Sequence, residues 1–165
     1  MNHDSYTNAY ILGILRKVKA FAMVGASANW NRPSYFAMKY LQEKGYRVLP
    51  VNPGLAGQDL LGEKVYARLS DIPDRFDMVD IFRNSEAAGP IVDEAIALKD
   101  AKGIEVIWMQ LGVRNDGAAA RAEAAGLKVV MNRCPKIEFG RLHAELSWGG
   151  FDSGVISARR GRLRS

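Results

Sequence analysis

The sequence predicts an α/β protein: a doubly wound parallel sheet of five strands with helices on both faces. Three observations carry this expectation. Short apolar runs alternate with segments of helical spacing from residue 9 to residue 143. The run 104–111 is nearly all apolar, as strands buried on both faces are, and is expected to lie centrally. Residues 21–34, FAMVGASANWNRPS, read as strand, tight loop and helix start, with Gly25, Ala26 and Ser27 at the turn. Five such strands separated by helices imply crossover connections. The order expected across the sheet is third, second, first, fourth, fifth.

Each element has a local reason. Residues 9–19 carry Ile11, Leu12, Leu15 and Val18 at helical spacing and form a leading helix. Residues 20–25 form the first strand. Residues 33–44 form a helix that Pro33 opens and Gly45 stops. Residues 46–52 form the second strand, 53–62 a glycine-rich loop and 65–69 a short helical turn. Residues 76–82 form the third strand. Ser85 is expected to cap the next helix, which stops at Gly103 and starts late or kinks at Pro90. Asn115 or Asp116 caps an alanine-rich helix that ends at Gly126. Residues 127–131 form the fifth strand, and 136–143 a final short helix.

The bulk numbers bound the class. The 165 residues suffice for one domain with a core, and 48% hydrophobic against 25% charged content indicates a globular chain. Residues 1–150 are expected to form that single domain, with 151–165 a flexible basic tail. The net charge of +5 is mostly that tail's, because Arg159, Arg160, Arg162 and Arg164 have no acid among them. The apolar runs fall far short of the roughly 20 residues of a membrane span. The first residues lack the basic and apolar regions of a secretory signal. One cysteine, Cys134, allows no internal disulfide and fits the cytoplasm.

In an open parallel sheet, ligands bind at the carboxyl ends of the strands. Those ends carry Gly25, Ala26, Ser27 and Arg32; Asn52 and Pro53; Arg83, Asn84 and Ser85; Gln110, Leu111 and Gly112; and Asn132, Arg133, Cys134 and Pro135. The lip is polar and cationic with no acid, which suits an anionic ligand of nucleotide type. Small residues let the backbone approach a phosphate, and a helix N-terminus presents unpaired N–H groups to it. The loop is not the G-x-G-x-x-G fingerprint. The second strand ends in Val51-Asn52-Pro53 with the next acid at Asp59, which argues against NAD. NADP stays open, since Arg32 can serve an extra phosphate. Plainer readings stand beside these: a tight turn for Gly25, an ion pair with Glu86 for Arg83, a loop bond for Gln110, and packing for Cys134. His143 has no Asp or Ser constellation for catalysis, His3 lies in an end expected to be mobile, and no metal-ligand spacing, G-x-S-x-G elbow or Walker loop occurs.

At these same positions the chain resembles the small stand-alone CoA-binding proteins of bacteria, relatives of the N-terminal CoA-binding domain of the succinyl-CoA synthetase alpha subunit. The matching stretches are Val24-Gly25-Ala26-Ser27, Asn31-Arg32-Pro33-Ser34-Tyr35, the run from Tyr46 to Pro53, Val79-Asp80-Ile81-Phe82-Arg83, the run from Trp108 to Val113, and Arg133-Cys134-Pro135. The resemblance spans roughly residues 14–142 and implies a Rossmann-like fold that binds coenzyme A. It implies that Gly25, Ala26 and Ser27 line a diphosphate loop entering the helix at Pro33 and Ser34, and that Arg32 meets a phosphate. Asn52, Pro53, Phe82 and Arg83 would flank the adenosine. Gln110, Leu111, Gly112 and the loop Asn132, Arg133, Cys134, Pro135 would lie toward the pantetheine arm. Such proteins often have a lysine after the strand-2 proline, where this chain has Gly54. The synthetase's phosphorylated histidine belongs to a second domain absent here, so ligase activity is not implied.

Three function classes follow. The first is a cytoplasmic CoA or acyl-CoA binding protein without chemistry of its own. The second is an NAD(P)-dependent oxidoreductase, or a CoA-thioester enzyme completed by a partner, with Cys134 the proton donor on the lip. The third is a CoA-sensing interaction protein whose arginine tail meets nucleic acid or another protein. A homodimer is compatible with each, through the apolar leading helix and the aromatic C-terminal segment.

Overall fold

Helix α1 (Asn8–Lys17) is capped by Thr7, whose hydroxyl accepts the Tyr10 N–H, and it buries Ile11, Leu12, Ile14 and Leu15. Strand β1 (Ala20–Val24) leads through the 25–32 loop into α2 (Pro33–Glu43), with proline in the first turn where its missing N–H costs nothing. Strand β2 (Arg47–Val51) follows. The computed structural model describes residues 1–144, and within them His3, expected in a mobile end, is buried, with its ring nitrogens 2.7 Å from the Tyr6 hydroxyl and 3.3 Å from a Glu123 carboxylate oxygen. The expected boundary at residue 150, the aromatic C-terminal segment and the arginine tail lie outside them.

Residues 53–77 depart from the expected loop and helical turn. They hold a 3-10 turn (Pro53–Leu55), a hairpin of β3 (Asp59–Leu60) and β4 (Glu63–Lys64), and a second 3-10 turn at Leu69–Asp71. The hairpin turns through Leu61 and Gly62, both at positive φ. The rest of the sheet comprises β5 (Met78–Ile81), β6 (Val106–Met109) and β7 (Lys128–Val130). Between them run α3 (Ser85–Lys102) and α4 (Asp116–Ala124), and α5 (Pro135–Arg141) follows β7. The cap of α3 is Asn84, not Ser85: its Oδ1 accepts the Ala87 N–H at 2.8 Å. The helix starts at Ser85 rather than beyond Pro90. Asn115 caps α4.

The five long strands are all parallel, in the order β2-β1-β5-β6-β7. The expected order placed β2 inside the sheet; it is an edge. Pro50 supplies the reason. Its carbonyl accepts the Tyr66 N–H on the outer side of β2, so the nitrogen without a proton faces outward too. An internal strand would need that N–H for its ladder. Strand β6 is internal, as its apolar run requires, although β5 holds the centre.

Alternate residues of the sheet feed two cores. Phe21, Met23, Met78 and Trp108 pack under α1, α2 and α5. Ala22, Val79, Ile107 and Val129 pack under α3 and α4. The other edge, β7, is closed by tyrosines. The Tyr10 hydroxyl donates to the Val129 carbonyl (2.9 Å) and accepts its N–H (3.1 Å), and the Tyr6 hydroxyl accepts the Met131 N–H (2.8 Å). Burial pushes the Tyr10 hydroxyl up to about 12, so it stays a donor. Backbone groups that would otherwise template another strand are satisfied in this way. The connections after β1 and β5 leave on opposite faces, which opens a crevice above the carboxyl ends of these neighbours.

Candidate functional site

The crevice is a cavity of about 1050 Å³. At its floor β1 and β5 close against each other. Gly25 sits at φ +92°, and a Cβ there would lie 2.4 Å from the Phe82 carbonyl oxygen. Its N–H and that of Ala26 both reach the Val51 carbonyl, at 3.0 and 3.3 Å. The chain then climbs through small turns: the Ser27 hydroxyl accepts the Asn29 N–H (3.0 Å), and the Asn29 side chain accepts the Asn31 N–H (3.2 Å). This delivers Arg32, Pro33 and Ser34 to the cavity wall. Arg32 makes no side-chain cap on α2, so its side chain leaves the helix entrance uncovered.

The β2 lip is tied to this loop. Asn52 Nδ2 donates to the Ala26 carbonyl (2.8 Å), its Oδ1 accepts the Gly54 N–H (2.8 Å), and its own N–H bonds to Tyr66 (2.8 Å). Asn52 therefore braces the loop after β1 while lining the cavity with Pro53 and Gly54.

The walls are cationic. Arg32, Arg68 and Arg83 line the cavity, and none has an ion pair or side-chain hydrogen bond among the described residues. Elsewhere arginines are matched: Arg47 with Glu63 and Asp74, Arg114 with Asp4 and Asp116, Arg121 with Asp93, Arg141 with Glu138. Arg83 does not pair with Glu86. Unmatched guanidinium groups converging on one cavity select an anion. The strand ends bring no acid, but α3 does: Glu94 lines the wall, with its carboxylate accepting the Ser70 N–H at 3.3 Å.

Two buried polar groups stand apart. Gln110 lines the cavity 9% exposed, with its N–H on the Ile81 carbonyl and its Oε1 without a partner among the described residues. Asp80 lies fully buried on β5, two residues before Phe82 and in register between Met23 and Trp108. Neither of its carboxyl oxygens has a partner among the described residues, and burial raises its pKa well above the usual carboxylate range.

The sequence-derived residues divide cleanly. Gly25, Ala26, Ser27, Arg32, Pro33, Ser34, Asn52, Pro53, Phe82, Arg83, Gln110 and Leu111 line one cavity. Gly112, Asn132, Arg133, Cys134 and Pro135 lie outside its lining. Asn132, at φ +59°, folds the chain back instead of letting it extend from β7. Its Oδ1 accepts the Gly112 N–H (2.7 Å) and its own N–H bonds to Val113 (3.0 Å), which holds the 110–113 loop in place. The Arg133 carbonyl accepts the Trp108 indole N–H (2.9 Å), and its guanidinium sits over the Tyr6 ring. Cys134 is buried at the start of α5. The structure adds Arg68, Leu69, Ile91 and Glu94, which the sequence reading missed. Arg68 reaches the cavity only because Tyr66 bridges to Val51 along the outer edge of β2, a contact with no periodic signal. Among the described residues, no three His, Cys, Asp or Glu are grouped to hold a metal, and no helix is long and apolar enough to cross a membrane.

Comparison with known proteins agrees with this geometry. The YneT protein of Bacillus subtilis (strain 168), itself uncharacterized, is 34% identical over 131 residues, covering 79% of this chain and 93% of its own length. A hypothetical protein from Pyrococcus horikoshii OT3 is 39% identical with a TM-score of 0.78, over 87% of this chain and 96% of its own. A Thermus thermophilus structure is 34% identical with a TM-score of 0.77, over 83% of this chain and 99% of its own. The same Rossmann-like parallel sheet recurs in these structures. The model of a family described as CoA binding domain matches residues 19–140. With its glycine-turned loop after β1, cationic crevice and parallel sheet inside that span, the chain belongs to the CoA binding domain family.

Proposed function

We propose that the chain binds coenzyme A or an acyl-CoA in this cavity and has no ligase chemistry of its own. The observation that carries the reading is the set of unmatched arginines around a crevice entered by a helix N-terminus. Coenzyme A has a diphosphate and a ribose phosphate, so it matches several separated cations better than a neutral ligand does. A cavity of about 1050 Å³ lies at the upper end of the usual range for ligand pockets and suits a long nucleotide.

In this reading the diphosphate rests on Gly25, Ala26 and Ser27 at the entrance of α2, with Arg32 beside it. The adenosine lies between the Asn52-Pro53 lip and Phe82-Arg83. The pantetheine arm runs toward Gln110 and Leu111, where the unpartnered Oε1 of Gln110 accepts an amide N–H of the arm. Residues 132–135 support that loop and do not touch the ligand. A reducing cytoplasm is the setting, in keeping with a single buried cysteine.

Arg32→Ala is expected to weaken coenzyme A binding about five- to thirtyfold, the loss of one charge-assisted contact at a partly open site. Isothermal titration of the wild type and the variant checks this. Unchanged affinity removes Arg32 from the site and with it the placement of the diphosphate.

A further inference from the structure

We propose that Arg68 reads the phosphate monoester on the ligand's ribose, and so decides between phosphorylated and unphosphorylated forms of the nucleotide. The inference rests on the coenzyme A reading above and assigns a role to a residue that reading did not use.

Arg68 is held where such a group would arrive. Residues 65–68 lie along the outer edge of β2: the Tyr66 N–H bonds to the Pro50 carbonyl (3.0 Å) and the Asn52 N–H to the Tyr66 carbonyl (2.8 Å). Leu69, buried in the core, and the 3-10 turn it opens fix the other side. Arg68 is thus an extended residue between two anchors, with its exposed side chain on the cavity wall.

The end of the second strand is where this sheet architecture meets a ribose. An acid there takes free ribose hydroxyls, and an arginine nearby accommodates a phosphate on them. Here β2 is followed by Asn52-Pro53-Gly54, with no acid, and Gly54 contributes no side chain. Arg68 is the cation on this lip. Arg32 stands apart, at the α2 entrance, and Arg83 follows β5, with its stem beside Gly25, across the adenosine from the Asn52-Pro53 lip in that reading. Glu94, the acid in the lining, takes the Ser70 N–H and forms no ion pair with Arg68. Among the described residues the guanidinium is left with its donors free.

The chemistry recognised is a phosphate monoester on a ribose, and two sources carry it: the 3′-phosphate of coenzyme A and the 2′-phosphate of NADP. Coenzyme A is paired with dephospho-coenzyme A, and NADP with NAD, in titrations of the wild type, Arg68→Ala and Arg68→Lys. The wild type is expected to prefer coenzyme A over its dephospho form by tenfold or more. In Arg68→Ala that preference drops below about threefold, because coenzyme A weakens while the dephospho form does not. Arg68→Lys keeps part of the preference. Equal weakening of both ligands, or a preference that survives in Arg68→Ala, overturns the role of Arg68. A wild type that prefers NADP over both NAD and coenzyme A, with that preference lost in Arg68→Ala, upholds Arg68 and overturns the coenzyme A reading. Binding of none of the four overturns both.

Discussion

Gly25→Ala is expected to destabilise the protein by more than about 3 kcal/mol and to abolish ligand binding. The φ of +92° alone costs an alanine roughly 1–2 kcal/mol. The added Cβ would stand 2.4 Å from the Phe82 carbonyl oxygen and 2.9 Å from its carbon, both backbone atoms of the residue that follows β5, which its own N–H ties to the Val24 carbonyl at 2.7 Å. Relief requires the ends of β1 and β5 to part, and those ends are the cavity floor. For a chain of this size the loss corresponds to a fall in melting temperature of about 10 °C. A thermal melt checks it; a midpoint within about 2 °C of wild type would show that the floor yields. The same residue thus fixes both the join of the two central strands and the loop offered to the ligand.

Asp80→Asn is expected to change how stability depends on pH. Burial without a hydrogen-bond partner raises the Asp80 pKa in the folded state above its unfolded value of about 3.9. The stabilising form is then the protonated one. Its contribution is complete below the unfolded pKa and is lost as pH rises toward the folded pKa, at about 1.4 kcal/mol per pH unit. The difference in unfolding free energy between Asp80→Asn and wild type should therefore grow from pH 4 upward, in favour of the variant. Asparagine is itself an unsatisfied polar group and carries a constant offset, so the slope is the reading. Denaturant unfolding at a series of pH values measures it. Parallel curves for the two proteins would show that Asp80 is solvated or partnered in solution.

Much of the architecture was legible because it rests on local chemistry. The runs through Phe21, Val48, Val79, Ile107 and Val129 announce strands, and Pro33, Asn115 and Gly103 punctuate the helices. Strand order was not legible from those runs. The one clue lay in Pro50, which an edge strand tolerates and an inner strand does not. The β3–β4 hairpin escaped notice because two-residue strands have no period and its turn places Leu61 at φ 50°.

At the site, the loop from Gly25 to Ser34 could be read because it is continuous in sequence. Arg68 and Glu94 could not: one arrives through a lone bridge at Tyr66, the other from the third turn of α3. Asn132 to Pro135 follow a strand, as the sequence reading had it, but a single positive φ at Asn132 turns them beneath the loop they were expected to join. The missing partners of Asp80 and Gln110 are properties of packing, and no pattern along the chain reports them.

The most direct test of the central claim is a side-by-side calorimetric titration of coenzyme A and ATP into the wild-type protein at one salt concentration. Both carry an adenosine and a chain of phosphates; coenzyme A alone adds the pantetheine arm and the ribose phosphate. The expected result is micromolar binding of coenzyme A, at least tenfold tighter than ATP, with both contacts contributing. Equal affinity for the two, or tighter binding of ATP, would contradict the assignment of this cavity to coenzyme A.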